Sequence, residues 1–267
     1  MGEVALHQIR GSRQAWRLVL QRERRVVTVA LLVVAGLAWV YLFAGAGMPS
    51  MDGMDPSMVM APLPWSPGYA VVIFLMWWIM MAAMMLPSAA PTILLYDLVA
   101  RRLTDGRASA TLSFAWGYML VWGSFSLVAA ILHWALDQSG LMTMAMASAS
   151  SFLGGLILIG AGTWQLTPIK RACLAHCQSP LRFLSHHWRS GRFGALRMGI
   201  AHGAYCLGCC WVMMGLLFYG GVMNFAWIGG LALYILIEKS VPLGHWLTRV
   251  TGWTLILAGM IALGAQF

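Results

Sequence analysis

A run of soft metal ligands recurs at helical spacing in the stretch AHGAYCLGCCWVMM, residues 201–214. At about 100° of rotation per residue, one helix face carries four of these ligands within about 60°: His202, Cys206, Cys209 and Met213. Cys210 lies about 40° further round the same helix. Thiolate, imidazole and thioether groups are ligands that select Cu(I). The spacing predicts a soft-metal face, and the alternative is that the cysteines are small apolar core residues while His202 bonds a neighbouring helix.

A second series of ligands consists of methionines in MWWIMMAAMMLP, residues 76–87. Met76, Met80 and Met84 fall within about 80° of one another on a helix, and we call these three residues the methionine stripe. Thioethers are uncharged and lose their hydration at little cost, so the stripe is suited to carrying Cu(I). Methionine is also an adaptable packing residue, which is the alternative. Pro87 and Pro91 are predicted to break the helix beyond the stripe.

Further ligands flank these two helices. The pair Cys173 and Cys177, with His176 between them, follows the predicted fourth span, and His186 and His187 are candidates to complete a site there. A proline-rich segment over 48–68, on the opposite side of the membrane, carries methionines and acids suited to collecting Cu(I) from an oxidising compartment, namely Met48, Met51, Met54, Met58 and Met60 with Asp52 and Asp55.

The amino-acid composition indicates that membrane helices position these ligands. The 267 residues are 60% hydrophobic and only 9% charged, whereas soluble domains carry about 25% charged residues. A membrane span needs roughly 20 apolar residues, and seven stretches qualify as candidates: 26–47, 69–90, 110–136, 148–168, 198–219, 224–239 and 248–266. The last two are short and meet near Pro242, where a broken or re-entrant pair is expected. The predicted fold is therefore all-α, a polytopic transmembrane helical bundle of about seven spans in a single integral-membrane domain over 1–267.

The distribution of basic residues predicts the orientation of the bundle. The 17 Lys and Arg residues fall in the N-terminal segment 1–25 and in loops that all lie on one side of the predicted bundle, including 101–109 and 169–197. The positive-inside rule therefore places the N-terminus in the cytoplasm and the 48–68 loop outside. A net charge of +9 then reflects topology and attraction to anionic lipid, so no nucleic-acid partner is expected. The five cysteines lie toward the cytoplasmic side, where structural disulfides are rare.

Several classes of activity lack a sequence signal. The chain has no phosphate-cradling glycine motif, nucleophile triad or paired catalytic carboxylate, which argues against a nucleotide cofactor and favours a non-enzymatic role. Glu238 and Lys239 are adjacent near a predicted helix end, and the simplest interpretation is an interfacial ion pair.

Three segments carry a resemblance to a known family. The combination of WWIMMAAMMLPSAAP, QLTPIKRACLAHCQSP and GAYCLGCCWVMM resembles a bacterial family of uncharacterised integral membrane proteins that are predicted to bind metal. The resemblance covers roughly residues 26–266 and implies a multi-pass protein of the bacterial inner membrane. The methionine spacing of the second span is also similar to that of eukaryotic high-affinity copper transporters, which have three spans and form trimers.

Together these observations favour a membrane protein that binds, and transports or delivers, Cu(I). The predicted path runs from the outer methionine loop to the methionine stripe, then to the His202 and cysteine face, and finally to Cys173 and Cys177. A metallochaperone or a larger membrane complex is the expected protein partner. Two alternatives remain open: a thiol redox enzyme that uses Cys206 and Cys209, and an assembly or heme-binding subunit with His202 or His133 as axial ligand.

Overall fold

The computed structural model describes residues 26–45, 65–103, 108–142, 146–148, 150–241 and 244–264. These residues are almost entirely helical, with one isolated antiparallel bridge between Met142 and Ser148 as the β-structure among them. The all-α prediction is confirmed. The helices run in the order α1 (Val26–Phe43), α2 (Pro67–Leu103), α3 (Ala108–Gln138), α4 (Ser151–Leu166), α5 (Pro168–Gln178), α6 (Pro180–His187), α7 (Gly191–Gly215), α8 (Leu217–Gly220), α9 (Phe225–Ser240) and α10 (Gly244–Gly264).

Five of these helices, α1, α2, α3, α7 with its extension α8, and α10, are long and apolar enough to cross a membrane. The pair α4 and α5 would make a sixth span, bent by 66°. The predicted span over 224–239 forms α9, whose 16 residues fall short of the roughly 20 that a span requires. The predicted break near Pro242, the N-terminal 25 residues and the methionines of the 48–68 loop lie outside the described residues.

The bend between α4 and α5 follows from two residues. Thr167 is extended, with φ −69° and ψ 147°, and its side chain accepts a hydrogen bond from the Lys170 backbone N–H at 3.2 Å. Pro168 follows at the first position of α5, where its missing N–H costs nothing. Thr167 therefore ends one helix and caps the next.

The prediction that Pro87 and Pro91 break the second span is wrong. Both prolines lie inside α2, which is continuous over 37 residues, or about 55 Å at 1.5 Å per residue. Each proline removes one backbone hydrogen bond, but the flanking Leu86 and Ala89 are buried in the core. Packing on both sides of the prolines therefore keeps the helix intact.

Glycines set the closest helix–helix contacts. A Cβ at Gly199 of α7 would overlap the backbone carbonyl of Phe114 in α3, and one at Gly203 would lie 3.3 Å from the carbonyl oxygen of Tyr118. A second close pair joins α4 to α10, where Gly162 lies against the Gly252 carbonyl. Small residues allow helix backbones to approach in this way. Of this pair, α7 carries five of the ten predicted metal ligands, namely His202, Cys206, Cys209, Cys210 and Met213.

A buried ion pair holds α5 to α9. The Lys170 ammonium lies 2.8 Å from a Glu238 carboxylate oxygen, and both side chains are fully buried. The Glu238 carboxylate also accepts hydrogen bonds from the hydroxyls of Tyr234 and Thr248, each at 3.1 Å. We call these four residues the Glu238 network. The predicted pairing of Glu238 with Lys239 is wrong, because adjacent helical residues point about 100° apart. Lys170 was also expected in a basic cytoplasmic loop, whereas α5 folds it into the interior.

Candidate metal site

The thiol of Cys206 is the centre of a buried polar cluster. Lys239 of α9 approaches its sulfur with Nζ at 2.9 Å, and the Tyr118 hydroxyl of α3 lies 3.1 Å away. Lys239 also donates to the Ser88 hydroxyl of α2 at 3.2 Å, and the Tyr118 hydroxyl donates to the Met85 carbonyl at 3.2 Å. Four helices thus converge on one cysteine. We call these five residues the Cys206 cluster.

Three further thiols adjoin Cys206. The Cys177 thiol of α5 lies close enough to the thiols of Cys206 and Cys209 to interact with both, and the Cys210 thiol interacts with the same two groups. Cys209 and Cys210 also donate to the Cys206 backbone carbonyl, at 3.0 and 2.9 Å. All five cysteines of the chain carry free thiols. The structure therefore brings Cys177 together with the cysteine face of α7.

His202 lies one turn before Cys206 and is 2% exposed. Its ring is surrounded by Phe114, Tyr118 and Phe183, with ring centroids 6.1, 5.7 and 5.2 Å away. Its Nδ1 is buried with no hydrogen-bond partner. Because a buried polar nitrogen without a partner is costly, this atom is suited to accept a ligand.

The methionine stripe is buried, since Met76, Met80 and Met84 are at most 2% exposed. Met213, the last ligand predicted on α7, is 2% exposed. The described hydrogen bonds join α2 to the cysteines through Met85 and Ser88, at the end of the stripe nearest Met84. Met76 lies nine residues before Met85, or about 13 Å along the helix axis. The stripe thus leads away from the Cys206 cluster.

The remaining predicted ligands lie at the edge of this region. Cys173 is partly exposed, and a Cβ at Gly208 of α7 would lie 2.9 Å from its sulfur. The imidazoles of three histidines interact instead with carbonyls of their own helices through Nδ1, these being His176, His186 and His187. The Nδ1 atoms of His186 and His187 are therefore engaged within α6 and do not complete a site with Cys173 and Cys177.

His133, named above as a possible axial ligand, lies at the opposite end of α3. It is 3% exposed, and its Nδ1 accepts a hydrogen bond from the Trp77 indole at 3.4 Å. The Trp65 indole donates to Asp137 nearby at 2.6 Å. This group of side chains, Trp65, Trp77, His133 and Asp137, therefore lies at the C-terminal end of the predicted 48–68 loop.

Among the residues that the structure describes, no three His, Cys, Asp or Glu side chains are already arranged to hold a metal ion. The hydrogen bonds of the thiols give a physical reason, because Cys209 and Cys210 turn toward the Cys206 carbonyl. Coordination requires these thiols to lose their protons and turn toward a shared ion. The donor set, with clustered thiols, a free imidazole nitrogen and nearby thioethers, fits a soft metal.

Lys239 is the residue of this site that the sequence interpretation missed. It was paired with its neighbour Glu238, yet it is 7% exposed and contacts Cys206. An ionisable residue within an apolar helix is by default a functional candidate. That rule, together with the helical rotation of about 100° between residues 238 and 239, predicts that the two side chains point in different directions.

A family model described as PpoB2, copper chaperone, matches residues 74–262. This range includes the methionine stripe, all five cysteines, His202 and Lys239. Comparisons with curated proteins and with solved structures gave no match.

Proposed function

The chain belongs to the PpoB2 copper chaperone family, and we propose from this premise that it binds Cu(I) within its helical bundle and delivers it to a partner. The proposed ligands are Cys206 and Cys209 with His202, and Cys177 contributes from α5. Met213 and Cys210 adjoin this set on α7. Cu(I) is the cargo of the protein, carried by soft ligands that the interior keeps away from water.

The observation that carries this proposal is the convergence of thiols beside an unpartnered imidazole. Cys177 interacts with both Cys206 and Cys209, and His202 is buried one turn away with its Nδ1 free of any hydrogen bond. Buried cysteines alone are often inert core residues. Thiols on two different helices, next to a histidine that lacks a partner, are better explained by a shared ligand.

We further propose that the protein spans the bacterial inner membrane with its N-terminus in the cytoplasm. The five helices of sufficient length and hydropathy support a membrane location, and the basic segments support the orientation. Copper then enters past the methionine loop and the methionine stripe and leaves past Cys177 and Cys173. Reporter fusions after Leu103 and after His187 test the orientation, since both sites must report the cytoplasm.

The function is tested by the copper content of the purified protein under reducing conditions. The double variant Cys206→Ser, Cys209→Ser should lose most of the bound Cu(I), because neutral hydroxyls are hard ligands. The change is nearly isosteric, so the variant should elute from size exclusion like the wild type. Met260→Leu on α10, which changes a 50% exposed side chain that belongs to no proposed ligand set, is the control and should keep the copper. Equal copper in the wild type and the double variant would remove the cysteines from the site.

One observation favours the thiol redox alternative as a second candidate. Reactive thiols require a nearby cation when they are buried, and Lys239 supplies one at 2.9 Å from the Cys206 sulfur. A redox dithiol would cycle between free thiols and a disulfide. Trapping the protein with an alkylating agent after mild oxidation, followed by mass measurement, would show a reversible loss of two alkylation sites in that case only.

A further inference from the structure

We propose that Lys239 makes the cysteine site selective for a monovalent metal ion, acting through its fixed positive charge and not as a ligand. This inference rests on the proposed function, because it concerns the charge of the metal held by Cys206 and Cys209. It assigns a specificity role to a residue that contacts the predicted ligand directly.

The position of Lys239 supports this role. Its ammonium lies between the Cys206 sulfur at 2.9 Å and the Ser88 hydroxyl at 3.2 Å. The nearest carboxylate in sequence, Glu238, is rotated about 100° round α9 from Lys239 and pairs with Lys170. The described groups that interact with Lys239 are thiols, hydroxyls and an imidazole, namely those of Cys206, Cys209, Cys210, Ser88, Tyr118 and His202. The counter-charge of Lys239 must come from cysteine.

The charge balance then distinguishes one metal from another. Cysteine binds metals as thiolate, so a site in which Cys206 and Cys209 are the two thiolates and Cys177 stays a neutral thiol carries a net charge of −1 with Cu(I), which Lys239 neutralises. Two thiolates with Zn(II) are already neutral, and Lys239 would leave a net charge of +1 in the interior. An uncompensated charge is expensive to bury. The same lysine therefore stabilises the monovalent complex and destabilises the divalent one.

A competition between two soft ions separates charge from softness. Ag(I) and Cd(II) both prefer sulfur ligands, so a site that selects only by softness would accept both. The wild-type protein in detergent, titrated under reducing conditions against a chromophoric chelator, should bind Ag(I) and Cu(I) at one equivalent. Its preference for Ag(I) over Cd(II) should exceed that of a variant without the Lys239 charge by ~100-fold, the product of a ~10-fold gain for the monovalent ion and a ~10-fold loss for the divalent ion.

Substitutions at Lys239 then test the residue itself. Lys239→Gln keeps a hydrogen-bond donor but removes the charge, and it should weaken Cu(I) binding about 10-fold while strengthening Cd(II) binding about 10-fold. Lys239→Arg keeps the charge and should keep the preference for monovalent ions. Methionine is avoided as a replacement because its thioether would add a ligand.

The outcomes separate this inference from the proposed function. Absence of Cu(I) binding by the wild type would overturn the proposed function. Cu(I) binding with equal affinity for Ag(I) and Cd(II) would leave the function intact and overturn the role of charge. Equal loss of both ions in Lys239→Gln would show a structural role only, and the wild-type competition remains decisive if that variant does not fold.

Discussion

The two buried lysines of this protein, Lys170 of α5 and Lys239 of α9, are neutralised in different ways. Lys170 meets a carboxylate, Glu238, which two hydroxyls also bind. Lys239, the residue that follows Glu238 in α9, donates to the Cys206 thiol and to the Ser88 hydroxyl. The first lysine has its counter-charge built into the fold. The counter-charge of Lys239 comes from the Cys206 thiol, which becomes negative only when it loses its proton, as it does when it binds a metal.

This difference separates a structural region from the candidate functional site. In the Glu238 network, which joins three helices, α5, α9 and α10, one carboxylate is bound by a lysine and two hydroxyls. The Cys206 cluster joins four helices, and its thiols and the neighbouring imidazole of His202 have no carboxylate partner among their described contacts. Fully satisfied buried networks rigidify a core, whereas incompletely satisfied ones point to a ligand. Three substitutions test this division, in decreasing order of expected effect.

The largest effect is expected from Glu238→Gln, which leaves the Lys170 charge buried without its partner. Breaking a buried ion pair in this way costs about 3–5 kcal/mol, so the free energy of unfolding should fall by that amount. Thermal unfolding in detergent measures the change. Copper bound per folded molecule should stay the same, because the network does not contact the thiols.

The double variant Lys170→Met, Glu238→Gln is the control, since it removes both charges. It should recover a large part of the lost stability. The distinction between the two regions would fail if Lys239→Gln lowered the melting temperature as much as Glu238→Gln does, because both lysines would then be structural.

An intermediate effect is expected from Tyr118→Phe, which removes a hydroxyl that bonds both Cys206 and the Met85 carbonyl. The ring volume is retained, so stability should fall by only about 1 kcal/mol. Copper affinity, measured by chelator competition, should weaken several-fold because the hydroxyl no longer orients the sulfur. Tyr96→Phe is the matched control, since that buried ring stacks on Phe114 at 4.7 Å and away from the sulfur. A similar loss in both variants would argue against orientation by Tyr118.

The smallest effect is expected from Met80→Leu within the methionine stripe. Leucine has nearly the same volume, and such exchanges cost less than about 1.5 kcal/mol. The variant should retain its fold and lose only part of the copper, as measured by elemental analysis. Met260→Leu on α10 is the control, because that side chain is 50% exposed. If the two variants kept equal copper, the methionine stripe would be packing alone.

The helices could be predicted from sequence because hydropathy and periodicity are local properties. The long apolar stretches gave the positions of α2, α3 and α7, and the cysteine face of α7 follows directly from helical rotation. Burial of His202, Cys206 and Cys209 agrees with that face. Whether these residues bind metal stays a prediction.

The partners of Cys206 could not be predicted because they come from other helices. Tyr118 and Ser88 are common residues whose relation to Cys206 depends on which helices are neighbours, and periodicity carries no such information. The continuity of α2 through Pro87 and Pro91 also depends on packing. Lys239 is different, since its sequence position alone made it a candidate. It was missed because adjacency in sequence was taken for contact in space.

The glycine contacts between α3 and α7 determine how much sequence change the site tolerates. At Gly199 the backbone of α7 rests against the Phe114 carbonyl of α3, and at Gly203 a Cβ would lie 3.0 Å from the Val121 side chain. The spacing of α3 and α7, which brings Tyr118 near Cys206, is therefore set by main-chain contact at Gly199. The outer face of α3, where Trp116 is 55% and Leu127 53% exposed, can accept varied apolar residues over evolutionary time without moving the sulfur. Gly199 has no such freedom, because even a methyl group would meet the Phe114 carbonyl.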